Sequence, residues 1–200
     1  MTTSPIRAAA RVPLALTLLR VMLAPVVVAL ALVRPVPWAF GACLVAAFLS
    51  DVFDGIVARR LGVATPGLRR LDSIADSIFY AAALFAAWHL HPSALRAHVA
   101  ALAVLGVLEV ARYVVDLRKF GKEASYHMWS SKAWGLALFA GFFALLVFGE
   151  QRWFVAAAIW IGVVADIEGL AISWTLREWR NDVPTWWHAR RLSATDRSRA

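Results

Sequence analysis

From Pro13 to Val33 the chain is apolar at every position except Thr17 and Arg20, and it then breaks at Arg34-Pro35-Val36-Pro37. A helix needs roughly 20 such residues to cross a hydrocarbon core of about 30 Å. Comparable stretches follow at about 37–60, 71–90, 95–115, 131–149 and 153–176. Inside hydrocarbon every backbone N–H and C=O must find a partner within the protein, so stretches of this length are expected to be helical. The predicted fold is therefore all-α, a polytopic membrane protein with six transmembrane helices. The overall composition agrees, with 61% apolar and 17% charged residues, against roughly 45–50% apolar in soluble domains. Arg7 and Arg11 ahead of an apolar run imitate a secretion signal. With Arg20 inside the run and no small-residue cleavage site, it reads instead as a retained first span.

The charge of +8 is sorted along the chain. Basic residues concentrate in the amino-terminal arm, the 59–70 connection, the 116–132 connection and the tail, whereas the alternate connections hold Arg34, Arg96 and Arg152. The positive-inside bias then puts both the N and C termini in the cytoplasm. Anionic headgroups account for the excess charge, and no basic stripe interleaved with exposed aromatics calls for nucleic acid. Trp38, Trp88, Trp129, Trp153, Trp174, Trp179, Trp186 and Trp187 sit near span ends, where amphipathic rings suit the membrane interface. Cys43 is expected to be a buried thiol. Residues 1–12 form a cytoplasmic arm, 13–176 the membrane domain, and 177–200 a basic, aromatic tail. The first part of the tail is expected to lie along the interface and its last ten residues to be mobile. No Gly-rich nucleotide loop, HExxH or paired CxxC occurs.

Chemistry concentrates in DVFDGIVARRLGVATPGLRRLDSIADSIF, residues 51–79. Asp51 and Asp54 are three apart, and Asp72 and Asp76 four apart, so on helices each pair shares a face. The simplest arrangement is two antiparallel helices whose like ends bring two carboxylates each to one point, on either side of a loop of about ten residues. Four carboxylates converge only against positive charge. All-oxygen ligands favour magnesium, manganese or calcium over zinc, as one ion or two. The plainer alternative is solubilising charges at helix ends, paired with Arg59, Arg60, Arg69 and Arg70.

The set Asp51, Asp54, Gly55, Ala58, Arg59, Asp72 and Asp76 resembles the signature of the CDP-alcohol phosphotransferase family: Asp, two residues, Asp-Gly, two residues, Ala-Arg, a gap, Gly, then two aspartates four apart. The glycine expected four residues before Asp72 is Leu68 here, with Gly67 one place early. The resemblance implies a six-helix, usually homodimeric membrane domain that transfers a substituted phosphate from a CDP-linked donor to an alcohol and releases CMP. It implies Asp51, Asp54, Asp72 and Asp76 as ligands of Mg2+ or Mn2+, with Asp76 also the base that activates the acceptor hydroxyl. It puts Asp51, Gly55, Ala58, Arg59 and Thr17 at the CDP pocket. PLALTLLRVMLAP, Pro13 to Pro25, is similar to the family's first helix, although the asparagine expected after its proline is Leu14.

Arg20, Arg112, Arg118, Lys132 and Glu168 are the candidates for holding an acceptor or its phosphate. Lys132 resembles a family lysine, and Arg112, Arg118, Lys119 and Lys122 form a basic cluster. Charges inside apolar spans are expensive and must face a protein interior, a headgroup or a ligand, which singles out Arg20, Asp166 and Glu168. Snorkelling is the plain alternative for Arg20, and pairing with a basic side chain for Asp166. Glu109 and Arg112, three apart, can pair with each other. His127 is read as an interface residue that can help bind an acceptor.

The leading reading is a phosphatidyltransferase that moves the phosphatidyl group of CDP-diacylglycerol to a small polar alcohol such as glycerol 3-phosphate. Inositol, inositol phosphate and serine are alternative acceptors. An ion-coupled transporter or a noncatalytic scaffold are the alternatives of other classes. Location in a bacterial inner membrane, with the active site facing the cytoplasm, completes the expectation.

Overall fold

The structure, a computed structural model, describes residues 11–63, 65–123, 126–149 and 153–198. Residues 1–10 of the amino-terminal arm, and the turn expected at Glu150, Gln151 and Arg152, lie outside them. No β-strand is present among the described residues. The helices are α1 (Arg11–Val33), α2 (Pro37–Arg60), α3 (Pro66–Leu90), a short α4 (Pro92–Arg96), α5 (Val99–Phe120), α6 (Trp129–Phe148), α7 (Trp153–Thr175) and α8 (Trp186–Ser198). The chain divides into two compact units, one of residues 1–92 with 142–150 and one of 93–141 with 151–200.

Among the described residues five helices are long and apolar enough to cross a membrane: Val12–Val33, Pro37–Arg60, Arg70–Leu90, Trp129–Phe148 and Trp153–Thr175. The expected fourth span falls on α5, which is not among these five. It has 22 residues, but every 18-residue stretch of it holds at least three charged side chains, Glu109, Arg112 and Asp116 among them, whereas each of the other five has a stretch of that length with no more than two. It also begins later than expected, because Ala97 and His98 turn the chain between α4 and α5.

In the first unit α1 packs along both α2 and α3. Small residues make this possible: Ala24 and Ala31 of α1, Ala47 of α2, and Ala75, Ala82, Ala83, Ala86 and Ala87 of α3 are all buried. Stripes of small side chains let helix backbones approach where hydrophobic burial gives little drive. The loop between α2 and α3 is shorter than the expected ten residues. Proline is tolerated in the first turn of a helix, Pro66 takes that place, and the Thr65 hydroxyl accepts from the Leu68 amide at 3.2 Å, so α3 starts at Pro66 rather than near 71. Leu68, which replaces the family glycine, therefore lies in a capped first turn. On the other side of the loop Gly62 takes φ +64°, a region open to glycine at little cost.

In the second unit α5 packs on α7 and α7 on α8. A Cβ at Gly162 would lie 2.5 Å from Trp134 Nε1 and 2.9 Å from Leu105 Cδ1, so the glycine makes room for side chains of α6 and α5. α5 runs past the expected boundary to Phe120 and ends where Gly121, in the left-handed region, donates to the Leu117 carbonyl at 3.0 Å. The tail is folded further than expected. Val183 and Ala189 join Tyr126, Met128, Ile172 and Leu176 in one buried cluster, with Phe120, Trp186 and Leu192 against it. That apolar seat explains why helix α8 continues through residues expected to be mobile. Trp38, Trp129, Trp153, Trp174 and Trp187 are exposed within two turns of helix ends, as membrane-interface rings should be.

Candidate active site

Asp51 and Asp54 project from the last turns of α2, and Asp72 and Asp76 from the second and third turns of α3. Carboxylate oxygens of Asp51, Asp72 and Asp76 lie within 4.8 Å of one another. Asp54 is buried, whereas the other three are half-buried. The expected convergence of the two pairs is thus present, but a third helix takes part in it. Arg20 of α1 reaches all four aspartates. Its Nη1 donates to Asp51 Oδ1 at 3.0 Å and to Asp76 Oδ1, and its Nη2 donates to Asp54 Oδ2 and Asp72 Oδ1. The residue is 1% exposed, so it does not snorkel, and its Nε has no hydrogen-bond partner. The donors expected to meet an acceptor phosphate meet carboxylates here.

One turn earlier, the Thr17 hydroxyl donates to the Pro13 carbonyl at 3.1 Å and lies 3.5 Å from Asp54 Oδ2. The shorter contact claims its single proton, so Thr17 lines the carboxylate cluster without being a strong donor to it. Ala58 is buried, and exposed Arg59 folds its guanidinium back over Gly55, 3.3 Å from where a Cβ would stand. A side chain at position 55 would displace that guanidinium.

The donor set fits a divalent cation. With every group ionised, one guanidinium leaves three of four negative charges uncompensated. Two carboxylates at about 5 Å repel by about 3 kcal/mol at an effective dielectric near 20. Three hard oxygen ligands from two helices match magnesium or manganese chemistry, in which waters and substrate oxygens complete the shell. Solubilising charges would spread outward; these aim inward, at one buried guanidinium.

The remaining expected residues belong to the second unit. Arg112 is held between Glu109 at 3.1 Å and fully buried Asp166 at 3.3 Å. Gly169 makes room for it, since a Cβ there would lie 2.8 Å from Arg112 Cδ. Asp166 thus takes the basic partner named as its alternative. Glu168 accepts from Ser130 Oγ at 2.5 Å and from the Trp186 amide at 3.1 Å, which ties the starts of α6 and α8 to α7. Lys132 is exposed, with its ammonium 4.4 Å over the Trp129 ring, and Arg118 is exposed. His127 is exposed at φ +50°, 3.8 Å from Asp182.

Sequence reasoning missed a buried polar cluster in this unit. Ser173 Oγ donates to Asp116 Oδ1 at 2.5 Å, and the Tyr126 hydroxyl lies 3.0 Å from Ser173 Oγ. Burial pushes the Tyr126 phenol up to about 12, so it stays a neutral hydroxyl. Lys119, read as part of a phosphate-binding cluster, caps α7 by donating to the Ser173 and Trp174 carbonyls at 2.8 and 3.0 Å. A serine inside an apolar span and an aspartate just past the expected end of the fourth span were the available signals, because both need partners once buried.

These features define a helical integral membrane protein with a carboxylate centre on the ends of two of its spans. The family model for CDP-alcohol phosphatidyltransferase matches residues 10–167. The chain belongs to that family, an enzyme class that transfers a phosphatidyl group from a CDP-alcohol. The match includes Arg20 and all four aspartates, and it ends one residue before Glu168. No curated protein and no solved structure matched the chain.

Proposed function

We propose that the protein transfers the phosphatidyl group of CDP-diacylglycerol to a small polar alcohol, with glycerol 3-phosphate the first candidate, and releases CMP. The observation that carries this reading is the inward convergence of Asp51, Asp54, Asp72 and Asp76 from α2 and α3. Asp51, Asp54 and Asp72, with one oxygen of Asp76, would hold Mg2+ or Mn2+, which supplies Lewis acidity and neutralises the pyrophosphate charge.

The chain's own groups do the rest. Asp76 takes the proton of the acceptor hydroxyl as that oxygen attacks the phosphatidyl phosphorus. The new O–P bond forms while the anhydride bond breaks, and CMP leaves with the bridging oxygen. Arg59, folded over Gly55, stands at the edge of the CDP site, with Thr17 and Ala58 on its walls. Arg112, Arg118, Lys132 and Glu168 are assigned to the acceptor and its anionic group. The Glu109–Arg112 pair on α5 matches two of that helix's charges with each other and so lowers the cost of a sixth span. Six spans over 13–176 put both termini on one side, and the basic bias of the 1–12 arm, the alternate connections and the 177–200 tail makes that side the cytoplasm. Homodimerisation and a bacterial inner membrane complete the reading.

The test is purification in lipid with magnesium or manganese and labelled CDP-diacylglycerol, followed by an acceptor screen. CMP release should need both cation and acceptor, and Asp76→Asn should abolish it while the protein stays folded. Cation-coupled flux without CMP release would replace the enzyme by a transporter.

A further inference from the structure

A buried arginine surrounded by four carboxylates invites a question about the cation those carboxylates are built for. Both Nη atoms of Arg20 are spent on Asp51, Asp54, Asp72 and Asp76, and three of these are the side chains whose oxygens converge within 4.8 Å. The guanidinium and a divalent ion therefore draw on the same ligands. In a site of low dielectric, two cations among one ligand set repel strongly. The side chain is 1% exposed and its Nε has no partner, so Arg20 cannot exchange carboxylates for water without moving. A displaced guanidinium is itself a buried charge that needs a new anion.

We propose that Arg20 is an internal competitor for the divalent cation and that it couples cation binding to nucleotide binding. Entry of the ion frees Arg20 from carboxylates, and the pyrophosphate of a CDP-linked ligand gives it a new anionic partner. Cation alone binds weakly, because it leaves Arg20 unpaired. Cation with nucleotide binds tightly, because every charge is then matched. Coupling of this kind is reciprocal: the nucleotide raises cation affinity by the same factor as the cation raises nucleotide affinity. The inference rests on the metal reading above and adds a role for a residue of α1.

The test measures Mn2+ binding by electron paramagnetic resonance on the full-length protein in lipid nanodiscs, with and without CDP. Wild type should bind Mn2+ weakly alone and more tightly with CDP. Arg20→Gln should bind Mn2+ alone more tightly than wild type, on the order of tenfold, within the usual range of site-to-site coupling. Its gain from CDP should shrink, and only the direct attraction between Mn2+ and phosphate should remain. Arg20→Lys, which keeps the charge but loses the fork, should fall between. If folded Arg20→Gln binds Mn2+ no more tightly than wild type, or gains as much from CDP, the competitor role is wrong. Lack of coupling in wild type overturns it even where the variants fail to fold. Absence of any Mn2+ binding by wild type, with or without CDP, overturns the metal reading as well.

Discussion

Replacing Arg112 by Met leaves Asp166 as a buried carboxylate without its cation. The two charges stand 3.3 Å apart and Asp166 is 0% exposed. At an effective dielectric near 20, that separation corresponds to about 5 kcal/mol of attraction. Measured losses on removing one partner of a buried pair are about 3–5 kcal/mol. Met keeps much of the apolar stem that lies against Gly169, so little packing is lost. Arg112→Met should therefore destabilise the protein by about 3–5 kcal/mol, a fall in unfolding temperature of about 6–20 °C by the usual scaling for a chain of this size. The double variant Arg112→Met with Asp166→Asn removes the stranded charge and should recover more than half of that loss, a coupling that a double-mutant cycle reads directly. The assay is thermal unfolding in detergent micelles, followed by tryptophan fluorescence. A loss below about 1 kcal/mol for the single variant, or no recovery in the double variant, refutes the reasoning. The same pair tests the acceptor assignment separately: if Arg112 holds the acceptor, the stable double variant still shows a raised acceptor KM.

Tyr126→Phe should lower stability by about 1–3 kcal/mol, because it leaves Ser173 and Asp116 short of a hydroxyl. The phenol is raised in the fold from about 10 to about 12, so its contribution is fully present below pH 10 and is lost as pH rises from 10 through 12. The stability difference between wild type and Tyr126→Phe should thus stay constant from pH 6 to 9 and narrow above 10; a steady narrowing below pH 9 would contradict this. Glu168→Ala removes the acceptor of the Ser130 and Trp186 bonds and should cost about 1–3 kcal/mol, with Glu168→Gln costing less. A folded Glu168→Ala enzyme with full turnover would end its assignment to the acceptor site.

The spans were legible wherever an apolar run met a proline. The break at 34–37 was placed correctly for that reason, and the end of α2 at Arg60 because two arginines and Gly62 close the apolar run. The start of α3 was not, because a threonine cap and Pro66 carry the helix through polar residues that read as loop. The start and end of α5 were blurred in the same way, by a two-residue turn before it and by charged residues in its last turns. The two aspartate pairs were legible because helical spacing alone puts each pair on one face. Arg20's place among them was not. It depends on α1 packing along both α2 and α3, a tertiary fact with no local signature. One clue lay in the sequence: a charge in the middle of an apolar helix must be paired somewhere. The tail gave the least away, since the seat of α8 combines residues of α7, the 121–128 connection and the tail itself.

The most direct measurement is a manganese anomalous-difference map from crystals grown with manganese and CDP. A peak bounded by Asp51, Asp72 and Asp76, with the Arg20 guanidinium turned from those carboxylates to the nucleotide's phosphates, is the expected result. Nucleotide bound elsewhere, with no manganese peak and Arg20 still gripping all four aspartates, would contradict the account at its centre.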